Sequence, residues 1–337
     1  MRAWKITEAG SVDVLTLDEN MPKPPMKPTD ILVKNKAIGS NPVDYKVRAS
    51  GGFVQPSEEA PVVLGWDAAG VVEEVGSDVV GFSAGDEVFY AGDLGRQFGS
   101  YAEYTPVDYR LVGKKPKTLS WAEAATIPLV AITAWETIKE DMNVEEGSSI
   151  LIVNGAGGLG SFAIQLAKQL GLTVIATASR PDTIDWCKNL GADHVINHRE
   201  SLAPQLEGLG YPKGVRYVFH CFEVGLELGE FMKNVVGPCG KLALIQYAKE
   251  GAYGTIDGTD CWSHRKTLIH SFMFARSLHN VGVEKQGQLL NAVSEMIDAG
   301  KIKHTLSKTL RFEEAKELML LQESGKSIGK LAMTVEE

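Results

Sequence analysis

The hydrophobic and polar positions follow two different patterns along the chain, and the pattern changes after Pro116. Before that residue, short β-branched runs such as 31–33 and 71–72 are separated by Gly, Pro and Asp, which is typical of strands joined by turns. After it, Ser120 and Glu123 form a capping box, which predicts that a helix begins there. The first part of the chain is therefore predicted to be a small irregular β-barrel.

From residue 149 onward, apolar runs of strand length alternate with amphipathic runs of helix length. The predicted strands span residues 149–153, 173–177, 195–196, 215–219 and 241–245, and the predicted helices span 161–170 and 182–190. Apolar strands that alternate with helices specify a parallel sheet covered by helices on both faces. The predicted fold class is therefore α/β, with a doubly wound parallel sheet.

The last part of the chain returns to a mixed pattern. It is predicted to contain a helix over 288–299, a strand near Thr305, a helix over 312–323 and a strand over 330–335. The sequence contains no internal repeat and no low-complexity segment.

Length and composition narrow the class of protein. A chain of 337 residues predicts about two domains. Hydrophobic residues make up 44% and charged residues 23%, which is ordinary for a globular protein and excludes a disordered one. The 34 basic residues are outnumbered by 43 acidic ones, and the net charge of −9 disfavours nucleic acid as a partner.

The start of the chain, its apolar runs and its cysteines together predict a cytoplasmic location. The start of the chain lacks the apolar region of a signal peptide, and the longest nearly apolar run, 124–135, is shorter than the about 20 residues of a membrane span. The cysteines form no C-x-x-C pair, and residues 1–186 contain neither Cys nor His. We therefore expect a cytoplasmic protein with free thiols and no membrane partner.

A glycine-rich stretch lies between the predicted strand 149–153 and the helix that follows it. It runs Gly155-Ala156-Gly157-Gly158-Leu159-Gly160 and matches the pattern G-x-G-x-x-G. The glycines allow a tight turn, a close approach of the backbone to a pyrophosphate, and close packing of helix on strand. The helix N-terminus adds N–H groups and a positive dipole. This context favours a dinucleotide site, and the alternative is a glycine-rich connection without a ligand.

The end of the second predicted strand discriminates between cofactors. An NAD site places Asp or Glu there to bind the ribose hydroxyls. This strand is followed instead by Ser179 and Arg180, and the first carboxylate is Asp182. A hydroxyl and a guanidinium suit a 2′-phosphate, so NADPH is the predicted cofactor. The alternative is that Arg180 is only a solvated surface charge.

These features together resemble the medium-chain dehydrogenase/reductase superfamily. Residues 41–48, Asn-Pro-Val-Asp-Tyr-Lys-Val-Arg, resemble the N-P-V-D-x-K-x-R signature of its quinone oxidoreductase (zeta-crystallin-like) branch. Residues 61–70, 90–93, 132–136 and 177–181 resemble the zinc-type alcohol dehydrogenase-like subfamily, family 1. The resemblance implies a GroES-like catalytic domain over 1–123, a Rossmann NADP-binding domain over 124–275, a return to the catalytic domain over 276–337, and a homodimer.

The zinc that the subfamily label implies has no obvious ligands here. Zinc-dependent relatives use a Cys near the position of Asn41, a His in a G-H-E motif, and a later Cys or acid. In this chain the residues at the position of the G-H-E motif are Gly65-Trp66-Asp67. Catalytic zinc takes three protein ligands, mainly Cys and His. We therefore expect no zinc and no other metal ligands.

The resemblance implies hydride transfer from NADPH, without a metal, to a quinone or a similar electron-poor conjugated carbonyl compound. The alternatives are an enoyl or alkenal double-bond reductase, then a zinc-type alcohol dehydrogenase, and a non-catalytic NADPH-binding sensor. Oxidising an alcohol needs a Lewis acid or a base, whereas a hydroquinone anion takes a proton from solvent.

The resemblance also implies which residues line the substrate pocket. These are Asn41, Asp44, Tyr45 and Trp66 as catalytic candidates, with Thr126 and Phe274 beside them. Each has a structural alternative: Asn41 as a turn residue, Asp44 in an ion-pair set with Lys46 and Arg48, and Tyr45 and Trp66 as packing residues.

Further cofactor contacts are implied in the same way. The cofactor-binding set consists of Thr133, Gly155, Gly157, Gly158, Leu159, Gly160, Ser179, Arg180, His198, Phe274 and Lys330. His198 and Lys330 are expected near cofactor phosphates, and for both the alternative is a solvent-exposed side chain.

Overall fold

The computed structural model describes residues 1–248 and 253–335. The strands in these residues are β1 Ala3–Ile6, β2 Thr16–Asp18, β3 Asp30–Gly39, β4 Val62–Val63, β5 Asp67–Val75, β6 Glu87–Ala91, β7 Tyr104–Asp108, β8 Val112–Lys114, β9 Ser149–Val153, β10 Thr173–Thr177, β11 His194–Ile196, β12 Val215–Val224, β13 Val236–Tyr247, β14 Thr267–His270, β15 Leu306–Arg311 and β16 Lys330–Thr334.

The α-helices are α1 Pro42–Ser50, α2 Trp121–Ala125, α3 Pro128–Ala134, α4 Gly158–Gln169, α5 Pro181–Asn189, α6 Leu202–Gly208, α7 Leu228–Glu230, α8 Gly258–Ser263, α9 Ala275–His279, α10 Glu284–Asp298 and α11 Ala315–Glu323. Short 3₁₀ turns cover Val12–Val14, Tyr109–Leu111 and Phe312–Glu314, and π-helical turns cover Trp135–Asp141 and Phe231–Val235.

The chain forms two compact units. The first contains Met1–Ile132 and the chain from Phe274 onward, and the second contains Thr133–Met273. The sequence prediction instead placed the first boundary between residues 123 and 124. The difference arises because α2 packs on β3, β5 and β16 of the first unit. The contact is close, since a Cβ on Gly39 of β3 would collide with the backbone carbonyl of Ala125.

The first unit is built on two sheets of mainly antiparallel strands. The larger has the order β15-β16-β3-β5-β6-β8, with β7 also paired to β3, and the smaller has the order β2-β1-β4. Within the larger sheet, β16 and β5 pair with opposite edges of the end of β3, at Gly39. Helix α1 follows β3 directly, and it was not predicted from the sequence. The sequence nevertheless contains residues that are typical of helix ends. Asn41 is the N-cap, Pro42 is the first helical residue, and Gly51 is the C-cap, with a left-handed φ of 79°.

The second unit is a doubly wound parallel sheet, which confirms the predicted fold class. Its six strands are all parallel in the order β11-β10-β9-β12-β13-β14. This is the 3-2-1-4-5-6 order of a dinucleotide-binding fold, in which the strand order reverses between β9 and β12. Strands β9 and β10 have the predicted bounds, while β12 and β13 run several residues further than predicted. Ligands of such sheets bind at the carboxyl ends of the strands, beside the reversal.

Among the described residues, the structure contains no helix that is both long enough and apolar enough to span a bilayer.

Candidate cofactor site and buried polar cluster

The glycine-rich loop of the second unit is tied to the neighbouring strand. It leaves β9 at Asn154, which has the left-handed φ of 61°. The backbone N–H of Asn154 donates to Oγ1 of Thr177 at 2.9 Å, and the N–H of Gly155 donates to the carbonyl of Thr177 at 3.0 Å. Gly157 is then the N-cap of α4. These bonds fix the first turn of α4 at the carboxyl edge of the sheet.

The three glycines of the pattern have different surroundings. A Cβ on Gly155 would lie 2.8 Å from Cβ of Ala176 and 3.0 Å from Sγ of Cys187, and a Cβ on Gly160 would collide with the carbonyl oxygen of Asn154. Gly155 and Gly160 therefore let strand and helix pack closely. The nearest atoms to a Cβ on Gly157 all belong to Asn154, the closest being the side-chain Nδ2 at 2.7 Å. A side chain on Gly157 would therefore press first on the flexible Asn154 amide and not on the backbone.

The first turn of α4 supplies the groups that bind an anion. Gly158 and Leu159 are half-buried at its start, and the first N–H groups of any α-helix have no intrahelical acceptor. A diphosphate placed there would accept hydrogen bonds from them and interact favourably with the helix dipole.

Ser179, Arg180 and His198 lie at the carboxyl ends of two adjacent strands. Thr177 of β10 is paired with Ile196 of β11, and Ser179 and His198 each follow two residues later. Nε of Arg180 donates to Oδ1 of Asp182 at 3.2 Å, and 43% of the Arg180 side chain is exposed. An exposed ion pair of this kind contributes little, so the guanidinium is free to change partner.

The charge around His198 suits an incoming phosphate. Partial burial, together with the guanidinium groups of Arg199 and Arg180, lowers the pKa of the His198 imidazole. The structure thus brings Ser179, Arg180 and His198 to one edge, and their contact with a cofactor stays a prediction.

Two pairs of polar side chains near the same edge of the sheet could not be predicted from the sequence. The Tyr247 hydroxyl, at the end of β13, lies 2.6 Å from Nε2 of His270 at the end of β14. Oγ1 of Thr137 lies 2.5 Å from Oγ of Ser271 and also donates to the carbonyl of Thr133 at 2.6 Å. Only the pairing of Leu244 with His270 across β13 and β14 brings Tyr247 within reach. No local pattern in the sequence signals this contact.

The first unit holds a buried polar cluster at the end of β3. Nζ of Lys330, the first residue of β16, donates to the carbonyl of Ser40 at 2.8 Å, to Oδ1 of Asn41 at 2.6 Å, and to Oδ2 of Asp67 at 3.1 Å. Nδ2 of Asn41 donates to the same Asp67 oxygen at 2.8 Å, and the N–H of Leu129 donates to the other one at 2.7 Å. The ionised groups of this cluster are therefore fully paired.

This arrangement corrects the prediction for Lys330. Its side chain is 4% exposed, so the solvent-facing alternative is wrong. An ammonium group has three N–H donors, and all three are used by oxygens of the first unit. The three donors of Lys330 are thus engaged within the first unit, and contact of this side chain with a cofactor phosphate stays a prediction.

Asn41 and Asp44 are internal to the first unit. Both groups of the Asn41 amide are bonded within the cluster, and Oδ2 of Asp44 accepts from the N–H of Asn41 at 2.9 Å and from the Tyr101 hydroxyl at 3.0 Å. The alternative pairing of Asp44 with Arg48 is wrong, because Arg48 pairs with Glu323 at 3.2 Å. Contact of Asn41 and Asp44 with a substrate stays a prediction.

The remaining pocket candidates are placed as follows. Trp66 is 5% exposed, and its ring meets the ring of Phe274 edge-on at 6.1 Å. Thr126 caps α2 by donating to the carbonyl of Glu123 at 2.7 Å. Tyr45 is half-buried on α1. Trp66 and Phe274 thus pack against each other within the first unit, and a role of these residues in binding stays a prediction.

Asp44 has an unusual protonation equilibrium. It is fully buried, and burial raises the pKa of its carboxyl to about 7, although the hydrogen bonds from Asn41 and Tyr101 oppose the shift. Among residues 1–248 and 253–335, the second oxygen of Asp44, Oδ1, has no hydrogen-bond partner, and neither have the buried hydroxyls of Ser40 and Ser100. Burial also raises the pKa of Asp67, with the ammonium of Lys330 opposing it.

We expect Asp44 to make stability depend on pH. The carboxyl binds a proton more tightly in the folded chain than in the unfolded one, whose pKa is about 3.9. The contribution of Asp44 to stability is therefore greatest below about pH 4 and is lost as pH rises toward 7. Asp44→Asn keeps an acceptor oxygen but cannot ionise, so it should raise the free energy of unfolding at pH 8 by about 2 kcal/mol.

The measurement is urea unfolding of both proteins between pH 4 and 8. Asp86→Asn is the control, because the bond from Lys114 lowers the pKa of Asp86 and its loss should reduce stability at pH 8. Equal slopes of stability against pH for the wild type and Asp44→Asn would contradict the assignment.

Comparisons with known proteins match this architecture. Residues 27–117 match the alcohol dehydrogenase GroES-like domain family, and residues 158–284 match the zinc-binding dehydrogenase family. A zinc-type alcohol dehydrogenase-like protein of Staphylococcus epidermidis is 38% identical over 317 residues, which are 91% of this chain and 90% of that protein. The chain belongs to the medium-chain dehydrogenase/reductase superfamily, in its quinone oxidoreductase-like family. It is an oxidoreductase of that superfamily, and the resemblance stated from its motifs is confirmed.

Other members of the superfamily extend the comparison. A Rhizobium etli structure described as a zinc-dependent alcohol dehydrogenase is 40% identical, with a TM-score of 0.90 over 100% of this chain and 98% of that one. A 2-methylene-furan-3-one reductase of Solanum lycopersicum is 46% identical over 204 residues, 59% of this chain and 52% of that protein. A quinone oxidoreductase of Pseudomonas syringae is 26% identical, with a TM-score of 0.84 over 99% of each chain. A mycobacterial protein complexed with NADPH is 27% identical, with a TM-score of 0.84 over 99% of this chain and 100% of that one.

The zinc of the family name does not fit the residues present. Catalytic zinc takes mainly Cys and His ligands, and residues 1–186 contain neither. In residues 1–248 and 253–335, no three or more His, Cys, Asp or Glu side chains are grouped to hold a metal ion. The carboxylate of Asp67 is already bonded to the ammonium of Lys330. The described residues therefore do not fit a catalytic zinc ion.

Proposed function

We propose that this member of the superfamily is an NADPH-dependent oxidoreductase that transfers hydride to a quinone or another electron-poor conjugated carbonyl compound. The observation that carries the proposal is the carboxyl edge of the second unit. There the glycine loop lies beside a strand end that bears Ser179 and Arg180 where an NAD site would bear a carboxylate.

Each part of this edge has a task toward the cofactor. The N–H groups at the start of α4 would bind the diphosphate, and Ser179 and Arg180 would bind the 2′-phosphate, with His198 beside them. Bound NADPH supplies a hydride. The chain's own contribution is to hold the cofactor in one orientation and to exclude water from the acceptor. The mycobacterial neighbour complexed with NADPH supports this choice of cofactor.

The substrate class is supported by residues 1–186, which contain no Cys or His at the positions where zinc-dependent relatives bind the metal. Reducing a quinone gives a hydroquinone anion that is stable enough to take a proton from solvent, so the reaction requires no Lewis acid. The quinone oxidoreductase among the structural neighbours supports this class. Exposed aromatic side chains also lie within the last residues of β12 and after the end of β14: Phe222 is 52% exposed and Phe272 is 45% exposed. Such side chains suit a planar aromatic substrate.

A second candidate is reduction of a conjugated carbon–carbon double bond. It is favoured by the 46% identity to 2-methylene-furan-3-one reductase and by a match to an NADPH-dependent alkenal/one oxidoreductase of Arabidopsis thaliana. The two reactions share the hydride donor and differ in the acceptor. The first reduces a quinone to a hydroquinone anion, and the second adds hydride to a carbon of the conjugated double bond.

The test is a substrate panel with both cofactors. We expect NADPH oxidation with 1,4-benzoquinone and 9,10-phenanthrenequinone, at a kcat/KM at least 10-fold above that for NADH, because two charge-assisted contacts would be lost with NADH. Faster turnover of 2-alkenals than of either quinone would select the second candidate. Tight NADPH binding without oxidation on any substrate would favour a sensor, and equal use of NADH would refute the assignment of Ser179 and Arg180.

A further inference from the structure

Three oxygen atoms converge on one buried point in the first unit. They are the carbonyl of Ser40, Oδ1 of Asn41 and Oδ2 of Asp67, and they lie 2.8, 2.6 and 3.1 Å from Nζ of Lys330. The side chains of Lys330 and Asp67 are 4% and 0% exposed. The site is therefore closed, and its occupant is a tethered cation.

The oxygens are held in place independently of the lysine. Oδ1 of Asp67 accepts from the backbone of Leu129 at 2.7 Å, and the Asn41 amide donates to Oδ2 of Asp67 at 2.8 Å. The carbonyl of Ser40 comes from the segment between β3 and α1, and the N–H of Ser40 donates to the carbonyl of Leu331 at 2.9 Å. A preformed set of one carboxylate and two neutral oxygens is a cation site by its chemistry.

We propose that Lys330 is the built-in occupant of a cation site, and that its ammonium both neutralises Asp67 and keeps free cations out of a chain whose relatives carry a zinc-binding name. A buried carboxylate without a partner is strongly unfavourable, so the site without Lys330 should recruit a cation from solution. Oxygen ligands, and the small space that removal of the Lys330 side chain would leave, select an alkylammonium or a small hard ion over zinc.

The experiment removes the Lys330 side chain and tests whether a small ammonium compound in solution can replace it. Lys330→Ala lacks three carbons and the nitrogen, which together correspond to n-propylammonium, whereas Lys330→Met fills most of the same space without a charge. We expect both variants of the full chain to melt about 10 °C below the wild type. We expect 50 mM n-propylammonium chloride to restore at least half of that loss for Lys330→Ala, and none for Lys330→Met.

Tetramethylammonium chloride at the same concentration controls for ionic strength, because it has no N–H to donate. Equal melting temperatures of Lys330→Ala in the two salts, with no gain from magnesium chloride, would overturn the proposal. So would a stoichiometric metal ion in the wild type by elemental analysis after dialysis against zinc or magnesium. None of these measurements depends on catalysis, so the proposed function can fail without affecting them.

A double variant keeps the proposal testable if Lys330→Ala does not fold. Asp67→Asn removes the charge that the ammonium neutralises, so Lys330→Met with Asp67→Asn should melt several degrees above Lys330→Met alone. Asp67→Asn in the wild-type background should instead lower the melting temperature. An equal loss from Asp67→Asn in both backgrounds would show that the two charges are not coupled, and would overturn the proposal.

Discussion

Gly157→Leu is expected to raise the Kd for NADPH by at least about 100-fold while the protein stays folded. The φ of Gly157 is −71°, which any residue adopts, and the three atoms nearest to an added Cβ all belong to Asn154, with its flexible side-chain amide closest. Stability should therefore change little. A leucine side chain at the N-cap of α4 would keep a diphosphate away from the first turn of that helix, which removes at least two charge-assisted hydrogen bonds.

Binding is measured by titration calorimetry and folding by thermal melting. Gly208→Leu is the matched control, because a Cβ there meets nothing within 4 Å and the residue ends α6, away from the loop. It should leave both quantities unchanged. Gly160→Ala should do the opposite of Gly157→Leu and lower the melting temperature, because its Cβ collides with a backbone carbonyl. Unchanged NADPH affinity in Gly157→Leu would show that the diphosphate binds elsewhere.

Arg180→Leu is expected to raise the Kd for NADPH by about 10- to 100-fold and to leave the Kd for NADH unchanged. A charge-assisted contact with the 2′-phosphate contributes about 1.5–3 kcal/mol, and NADH has no phosphate at that place. The bond from Arg180 to Asp182 is exposed, so its loss should change the melting temperature by less than about 2 °C. The variant should therefore prefer NADPH over NADH much less than the wild type does, with the contact from Ser179 remaining.

Arg216→Leu controls for the loss of one positive charge from the same unit. Arg216 lies near the amino end of β12, the opposite end of the sheet, and pairs with Glu145. It should leave the ratio of the two dissociation constants unchanged. The same fall in NADPH affinity in both variants would mean that general charge, and not a contact at β10, selects the cofactor.

The sequence by itself determined the second unit in most respects. The bounds of β9 and β10, the parallel fold and the position of the glycine loop all follow from signals that act within a few residues of one another. Apolar runs specify buried strands, and glycine spacing specifies the turn before α4. The residues at the end of β10 could likewise be assigned, because they follow directly from the strand.

The tertiary structure alone decided the chemistry of the first unit. Asn41 and Asp67 are 26 residues apart and Asp67 and Lys330 are 263 apart, yet they meet because β16 and β5 pair with the same end of β3. That pairing register is set by packing over the whole sheet, and a shift of one residue would turn each side chain to the other face. A lysine that sequence patterns assign to solvent or to a phosphate is for this reason the buried partner of an aspartate.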